Sequence, residues 1–109
     1  MDGRRILVGI ALLLAAPADA QRYTSDQIAG SLGVAMAVAS MCNRPTAPIE
    51  AELERYIKQV GAGPLEANRL RQAMMDGGVE YRRVVTTPNC ATADQGIADT
   101  IARVRAGSR

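Results

Sequence analysis

The sequence predicts an all-α protein: a small four-helix domain with one disulfide bond, preceded by a cleaved signal peptide. Apolar residues recur mostly at steps of three and four in four separate segments, which is the spacing of one helix face. Proline, glycine and capping residues separate these segments. Sustained alternation of apolar and polar residues is missing, as are hairpin turn signals, so no strand is predicted.

Residues 1–20 have the three parts of a secretory signal peptide. A pair of arginines precedes an uncharged apolar run, Ile6 to Ala16, and the small-residue pattern Ala-Asp-Ala then precedes a cut at Gln21. The alternative is a membrane anchor, but eleven apolar residues make about 16 Å of helix against a hydrocarbon core of about 30 Å. We therefore expect residues 21–109 to form a single helical domain with no stable membrane span.

The first predicted helix starts at Thr24, which forms a capping box with Gln27 three residues later. Its apolar stripe is Ile28, Leu32, Ala35, Ala39 and Cys42. No charged residue lies between Asp26 and Arg44, so a membrane span is the alternative, but polar residues and two glycines interrupt the run. We interpret this segment as the central, buried helix, whose small residues allow close packing.

The second predicted helix has Pro48 in its first turn and ends at about Val60, before a Gly-Ala-Gly-Pro segment. Its apolar stripe is Ile49, Leu53, Ile57 and Val60, with Tyr56 beside it. Glutamates lie early in this helix and Lys58 lies late, as the helix dipole favours.

The third predicted helix contains Gly77-Gly78 in the middle of its pattern. Its apolar stripe is Leu65, Leu70, Met74, Gly77, Tyr81 and Val84. Glycine costs about 1 kcal/mol relative to alanine inside a helix, so the pair indicates a kink, a break or the close approach of another backbone. Because the periodicity continues across the pair, we expect one helix with a weak point.

The fourth predicted helix opens with Thr92 as its N-cap and Gln95 three residues later, and it ends at Gly107. Its apolar stripe is Ile97, Ala98, Ile101 and Val104.

Two cysteines, Cys42 and Cys90, predict one disulfide bond, because an even number of cysteines in an exported chain favours pairing. Two buried free thiols are the alternative. The chain has no C-x-x-C motif and no histidine, which excludes a Cys/His zinc site and a Cys–His nucleophile. The bond would join the end of the first helix to the start of the last, and chain entropy gives it about 4 kcal/mol.

Composition argues against several classes of function. The full chain has a net charge of +2 with mixed signs, and the predicted leader carries two acids and two bases, so the mature domain keeps that charge. A nucleic-acid-binding protein would show a concentrated basic patch. Histidine, the commonest general base, and the glycine-rich phosphate loops are missing. No catalytic residue, cofactor or metal ligand is predicted, and no enzymatic activity is expected.

Two groups of charged residues are candidate sites. Glu50 and Glu54 share a helix face, but acids are common at helix starts and we interpret them as such. A surface for a protein partner is the second candidate, and a solvated helix face is its alternative. Its residues are Arg69, Arg71, Arg82 and Arg83.

The order of these features resembles an uncharacterised family of small exported bacterial proteins with two cysteines and a helical fold. The residues that carry the resemblance are Ile28 to Leu32 with Cys42, Gly78 to Arg82, and Cys90 to Thr92. The resemblance implies no known activity. Periplasmic acid-stress chaperones offer an analogy, since they are also short helical domains with two similarly separated cysteines.

Together these features predict a periplasmic or secreted protein that is non-catalytic and acts by binding, as an accessory or stress-related protein. Local opening of the third helix would expose Leu32, Met36 and Met41, and methionine suits a surface that adapts to varied partners. A rigid domain whose methionines only fill space is one alternative. A small periplasmic enzyme or enzyme inhibitor with an unrecognised site is the other.

Overall fold

The computed structural model describes residues 23–107, which form four helices and no strand. The all-α prediction is therefore confirmed, while the predicted signal peptide lies outside the described residues. The helices are α1 (Ser25–Met41), α2 (Ala47–Val60), α3 (Pro64–Val84) and α4 (Ala93–Gly107), and a short 3-10 turn, Cys90–Thr92, leads into α4.

The ends of the first two helices are set by local side-chain and backbone chemistry. The Gln27 amide N–H donates to the Thr24 hydroxyl and the Thr24 N–H donates to the Gln27 side chain, so the predicted capping box is present. α1 stops where Asn43 adopts a left-handed backbone, with φ of 56°. α2 stops in the same way at Gly61, with φ of 69°. Both residues leave the following N–H free to bond back to the helix, which satisfies carbonyls in its last turn.

α1 is the central helix and contacts each of the other three. Its whole predicted stripe is buried, including Ile28 and Leu32, which are almost inaccessible to solvent. Around it pack buried side chains from α2, α3 and α4: Ile49, Leu53, Tyr56, Ile57, Ala67, Leu70 and Val104. The aliphatic residues and alanines thus form one core, as the lack of Phe and Trp requires.

α3 is continuous through Gly77-Gly78, and the backbone of α1 crosses it there. A Cβ built on Gly33 would stand 1.9 Å from the Met74 carbonyl oxygen, and one on Gly77 would stand 2.6 Å from the Gly30 oxygen. These distances leave no room for a side chain. Of the explanations given for the glycine pair, the close approach of another backbone is therefore the one observed. The prediction of one helix is confirmed.

Several predicted core positions are wrong. Leu65 is 87% exposed and Val84 is 75% exposed; they lie in the first and last turns of α3, on faces that the core does not cover. Val60, the last residue of α2, is likewise exposed. Ala98 points to solvent on α4, where Ala93 is buried instead.

The start of α4 differs from the predicted cap at Thr92. The side chain of Asn89 accepts the N–H of Ala91 and caps the 3-10 turn. The Thr92 hydroxyl donates to the Asn89 carbonyl, which places it inside the turn. Capping therefore occurs three residues earlier than predicted.

The Cys42–Cys90 disulfide is present, with the two Cα atoms 5.5 Å apart. It joins the end of α1 to the start of the 3-10 turn, as predicted. Beside it, Arg44 donates from Nε to an Asp94 carboxylate oxygen at 2.8 Å and from Nη1 to the Cys42 carbonyl. One covalent and one ionic contact therefore hold this end of the domain together.

Across residues 23–107, we find no helix with the combination of length and apolar character that a membrane span requires.

Candidate functional site

Two of the four arginines predicted to face a partner, Arg69 and Arg71, are held in ion pairs within the domain. Arg69 contacts Asp26 at the start of α1 and Glu66 one turn earlier in α3. The hydrogen bond from Arg69 lowers the pKa of the Glu66 carboxyl below its ordinary value. Arg69 therefore helps to fix α3 against α1.

Arg71 makes a two-pronged contact with Glu54. Its Nε and Nη2 each donate to one carboxylate oxygen at 2.8 Å, which joins α3 to α2. The hydrogen bond from Arg71 lowers the pKa of the Glu54 carboxyl. Glu50 is exposed, whereas both oxygens of Glu54 accept hydrogen bonds from Arg71, an inter-helix contact that the sequence did not predict.

The other two arginines lie near the end of α3. Arg83 stands 3.7 Å from Glu80 on an exposed surface. Arg82 makes no ion pair with any residue that the structure describes, and its side chain lines an open groove. The four arginines thus divide into a pair that joins helices and a pair that faces solvent.

The groove beside Arg82 lies between α1 and α3 and has a volume of about 410 Å³. We call it the methionine groove. Its lining residues are Gly33, Met36, Ala37, Ser40, Thr46, Met74, Met75, Gly78, Val79 and Arg82. The close crossing of α1 and α3 forms its floor, and the flexible methionine side chains form its sides.

The methionine groove exposes apolar side chains to solvent. Met75 is 62% exposed and Val79 is 54% exposed, one turn apart on α3. Met36 and Met74 are half-buried and pack against the core from the same side. Arg82 is the only charged residue in the described lining. The groove therefore combines an adaptable apolar surface with one positive charge.

Sequence analysis identified only part of this groove. Met36 was predicted to become accessible through opening of the third helix, and it already lines the groove in the closed domain. Leu32, assigned to the same surface, is fully buried. Met75 and Val79 were missed. Their spacing of four residues, off the predicted core stripe of α3, is the signal that could have found them.

A second groove lies on the opposite side of α1, between α1 and α4, and has a volume of about 350 Å³. We call it the tyrosine groove. Its lining residues are Val34, Ala35, Val38, Tyr81, Pro88, Asn89, Thr92, Ala93, Gly96, Ile97, Thr100 and Arg103. Sequence analysis assigned none of them to a site.

One buried carboxylate lies outside both grooves. Glu52 is only 3% exposed and is paired with Arg55 on α2 and with Arg105 on α4. A buried charge with two guanidinium partners is satisfied, so we assign this cluster to the packing of α2 against α4. The structure as described has no group of three or more acidic or cysteine side chains arranged to hold a metal ion.

Comparison with known proteins gives no relative from which a function can be carried over. No protein-family model, curated protein or solved structure matches the chain. The resemblance to exported two-cysteine helical proteins stays a prediction, and the function is argued from geometry.

Proposed function

We propose that this chain is an exported accessory protein that binds an apolar segment of a partner polypeptide in the methionine groove. The observation that carries the proposal is the groove itself, where Met75 and Val79 stay exposed beside half-buried Met36 and Met74. Methionine has three rotatable side-chain bonds and a polarizable sulfur, so such a surface adapts to differently shaped partners.

Export is proposed from the leader and the disulfide together. The Cys42–Cys90 bond forms and persists most readily in an oxidising compartment, which in bacteria is the periplasm or the exterior. Residues 1–20 have the pattern of a signal peptide. N-terminal sequencing of the exported protein is expected to begin at Gln21, and a sequence beginning at Met1 would contradict the proposal.

The arginine in the lining of the methionine groove favours a partner segment that carries a negative charge. Arg82 is unpaired among the described residues and stands at the groove. Arg83 lies next to it in sequence. A segment with a carboxylate beside its apolar residues would pair with Arg82, and a segment with lysine there would be repelled. The methionines are accessible without opening of α3, so the proposal does not require local unfolding.

The test uses two short labelled leucine-rich peptides that differ only in glutamate or lysine at one end. Fluorescence anisotropy is expected to show binding of the glutamate peptide and weaker binding of the lysine peptide. Val79→Glu places a charge in the groove and should abolish binding. Leu65→Glu introduces the same charge on the same helix outside the groove, and should bind as the wild type does. Equal binding by the two variants would overturn the assignment of the groove.

A second assay connects binding to a stress-related role. The wild-type protein is expected to slow the aggregation of a heat-unfolded reporter protein, measured by light scattering. The Val79→Glu variant should lose this effect while Leu65→Glu retains it. A wild-type protein that neither binds the peptides nor slows aggregation would contradict the proposed function.

A further inference from the structure

We propose that the tyrosine groove is a separate site for a small amphipathic carboxylate with an extended apolar body, of the fatty-acid type. The inference goes beyond the proposed polypeptide binding, because it concerns the other side of α1 and a different class of ligand.

The shape of the groove indicates an elongated ligand. Its lining residues on the last segment, Asn89, Thr92, Gly96, Thr100 and Arg103, follow one face at steps of three and four. From Thr92 to Arg103 this face extends for about 16 Å. The volume of about 350 Å³ lies at the small end of the range for ligand sites. A groove of this length suits a chain-like body better than a compact ring system.

The chemistry of the lining indicates an amphipathic ligand. Val34 and Val38 of α1 and Ile97 of α4 provide apolar surface along the groove. Tyr81 also lines the groove and is an amphipathic side chain with a hydroxyl. A few polar groups within a mostly apolar lining are the usual composition of a small-molecule site.

The charge of the lining indicates an anion. Arg103 is the only charged residue that lines the groove in the described part of the chain, and it has no ion-pair partner there. Among the described residues its side chain makes one hydrogen bond, a long one of 3.4 Å from Nη2 to the Thr100 hydroxyl. The guanidinium is therefore available for a carboxylate, which it can bind through two parallel hydrogen bonds.

Gly96 lines the middle of the groove, between Thr92 and Thr100 on the same face. Glycine inside a helix costs up to about 1 kcal/mol relative to alanine. At Gly33 and Gly77 the close crossing of two backbones accounts for that cost, but a Cβ built on Gly96 meets no atom within 4 Å. Packing therefore does not require glycine at this position. The absence of a side chain at Gly96 keeps the middle of the groove open.

The probe for the test is decanoate, titrated below its micelle-forming concentration into the exported, oxidised and ¹⁵N-labelled protein. We expect saturable shifts of the backbone amide signals of Val34, Val38, Gly96 and Ile97. Decanol and decyltrimethylammonium have the same tail without a negative charge and should bind more weakly. Absence of saturable shifts, or shifts confined to the methionine groove, would overturn the proposal.

Two variants and one control locate the site. Arg103→Gln removes the charge from an exposed side chain and should weaken decanoate binding about fivefold or more. Arg82→Gln, the matched change in the methionine groove, should leave it unaltered. Gly96→Leu fills the groove with a good helix former, so it should abolish binding while thermal stability stays equal or rises. A folded Gly96→Leu protein that binds decanoate as the wild type does would refute the site, as would equal weakening by both arginine variants.

Discussion

Arg105 Nε donates to a carboxylate oxygen of Glu52 at 3.1 Å, although the two residues are 53 positions apart in the chain. Arg55 contacts the other oxygen of the same carboxylate from within α2. The two guanidinium groups thus satisfy a carboxylate that is almost fully buried, and the contact from Arg105 joins α2 to α4.

Replacing Glu52 with glutamine is expected to destabilise the domain by about 1–3 kcal/mol, because the buried side chain loses its charge and keeps only one acceptor oxygen for two arginines. Glu50→Gln is the matched control on the same helix. Glu50 is exposed, so its replacement should change the free energy of unfolding by less than about 0.5 kcal/mol. Urea unfolding of both variants measures the difference, and equal values would show that the buried ion pair has no net effect on stability.

The crossing of α1 and α3 predicts opposite effects for two glycines in one helix. Gly33→Ala would force a methyl group against the Met74 carbonyl, so we expect a loss of about 2–3 kcal/mol or more. Gly30→Ala places its methyl in open space and should stabilise the protein by up to about 1 kcal/mol through helix propensity. Thermal unfolding gives both values. A Gly33→Ala protein as stable as Gly30→Ala would contradict the close crossing.

Removing the disulfide should lower the free energy of unfolding by about 4 kcal/mol, since Cys42 and Cys90 enclose a long chain segment. The change is the double substitution of both cysteines with serine, and urea unfolding is the measurement. Wild-type protein treated with a reductant is the control and should behave like the double variant. A mass for the exported protein that corresponds to two free thiols would show that the bond does not form in the cell.

The contact between Glu54 and Arg71 predicts a small dependence of stability on pH. Because the pKa of Glu54 is lower in the folded protein than in the unfolded chain, the contact stabilises the fold above the unfolded value. That contribution is lost as pH falls below about 4 and through the lower folded value. Both side chains are about half exposed, so solvent screening limits the effect to less than about 1 kcal/mol.

Unfolding of the wild type and of Glu54→Gln, at pH 7 and at pH 3, measures this effect. The variant should be less stable at pH 7, and the difference should shrink at pH 3 and in high salt. A difference that is constant with pH would mean that the ion pair is not its cause.

Helix positions and ends are predictable from this sequence because their determinants are local. Thr24 and Gln27 lie within one turn of each other, and Gly61 stops α2 through its own backbone angle. The predicted cap of the last helix is wrong because a 3-10 turn precedes α4. Asn89 caps that turn, and Thr92 lies within it. Two capping residues, three positions apart, compete there, and sequence alone does not say which of them is used.

Burial and the grooves depend on contacts between distant segments, and this is where prediction failed. Leu65 lies five residues before Leu70, which places it on the solvent side of α3, whereas Ala67 in the same turn is buried. In the sequence, Glu52 has the pattern of an ordinary acid near a helix start. Its contact with Arg105, 53 positions later in the chain, is not visible in that local pattern. The apolar pair Met75 and Val79 has a recognisable spacing, but the spacing does not show that no other helix covers this face of α3.

The position of the disulfide also determines how the protein would respond to a protease. The exposed connection between α2 and α3, around Gly61 and Gly63, lies inside the segment that Cys42 and Cys90 enclose. A single cut there leaves two fragments that remain covalently joined, so neither can diffuse away from the shared core. Nicked protein would migrate as one band without reductant and as two with it. Damage at this connection therefore leaves α1 and both of its grooves in one covalently connected molecule.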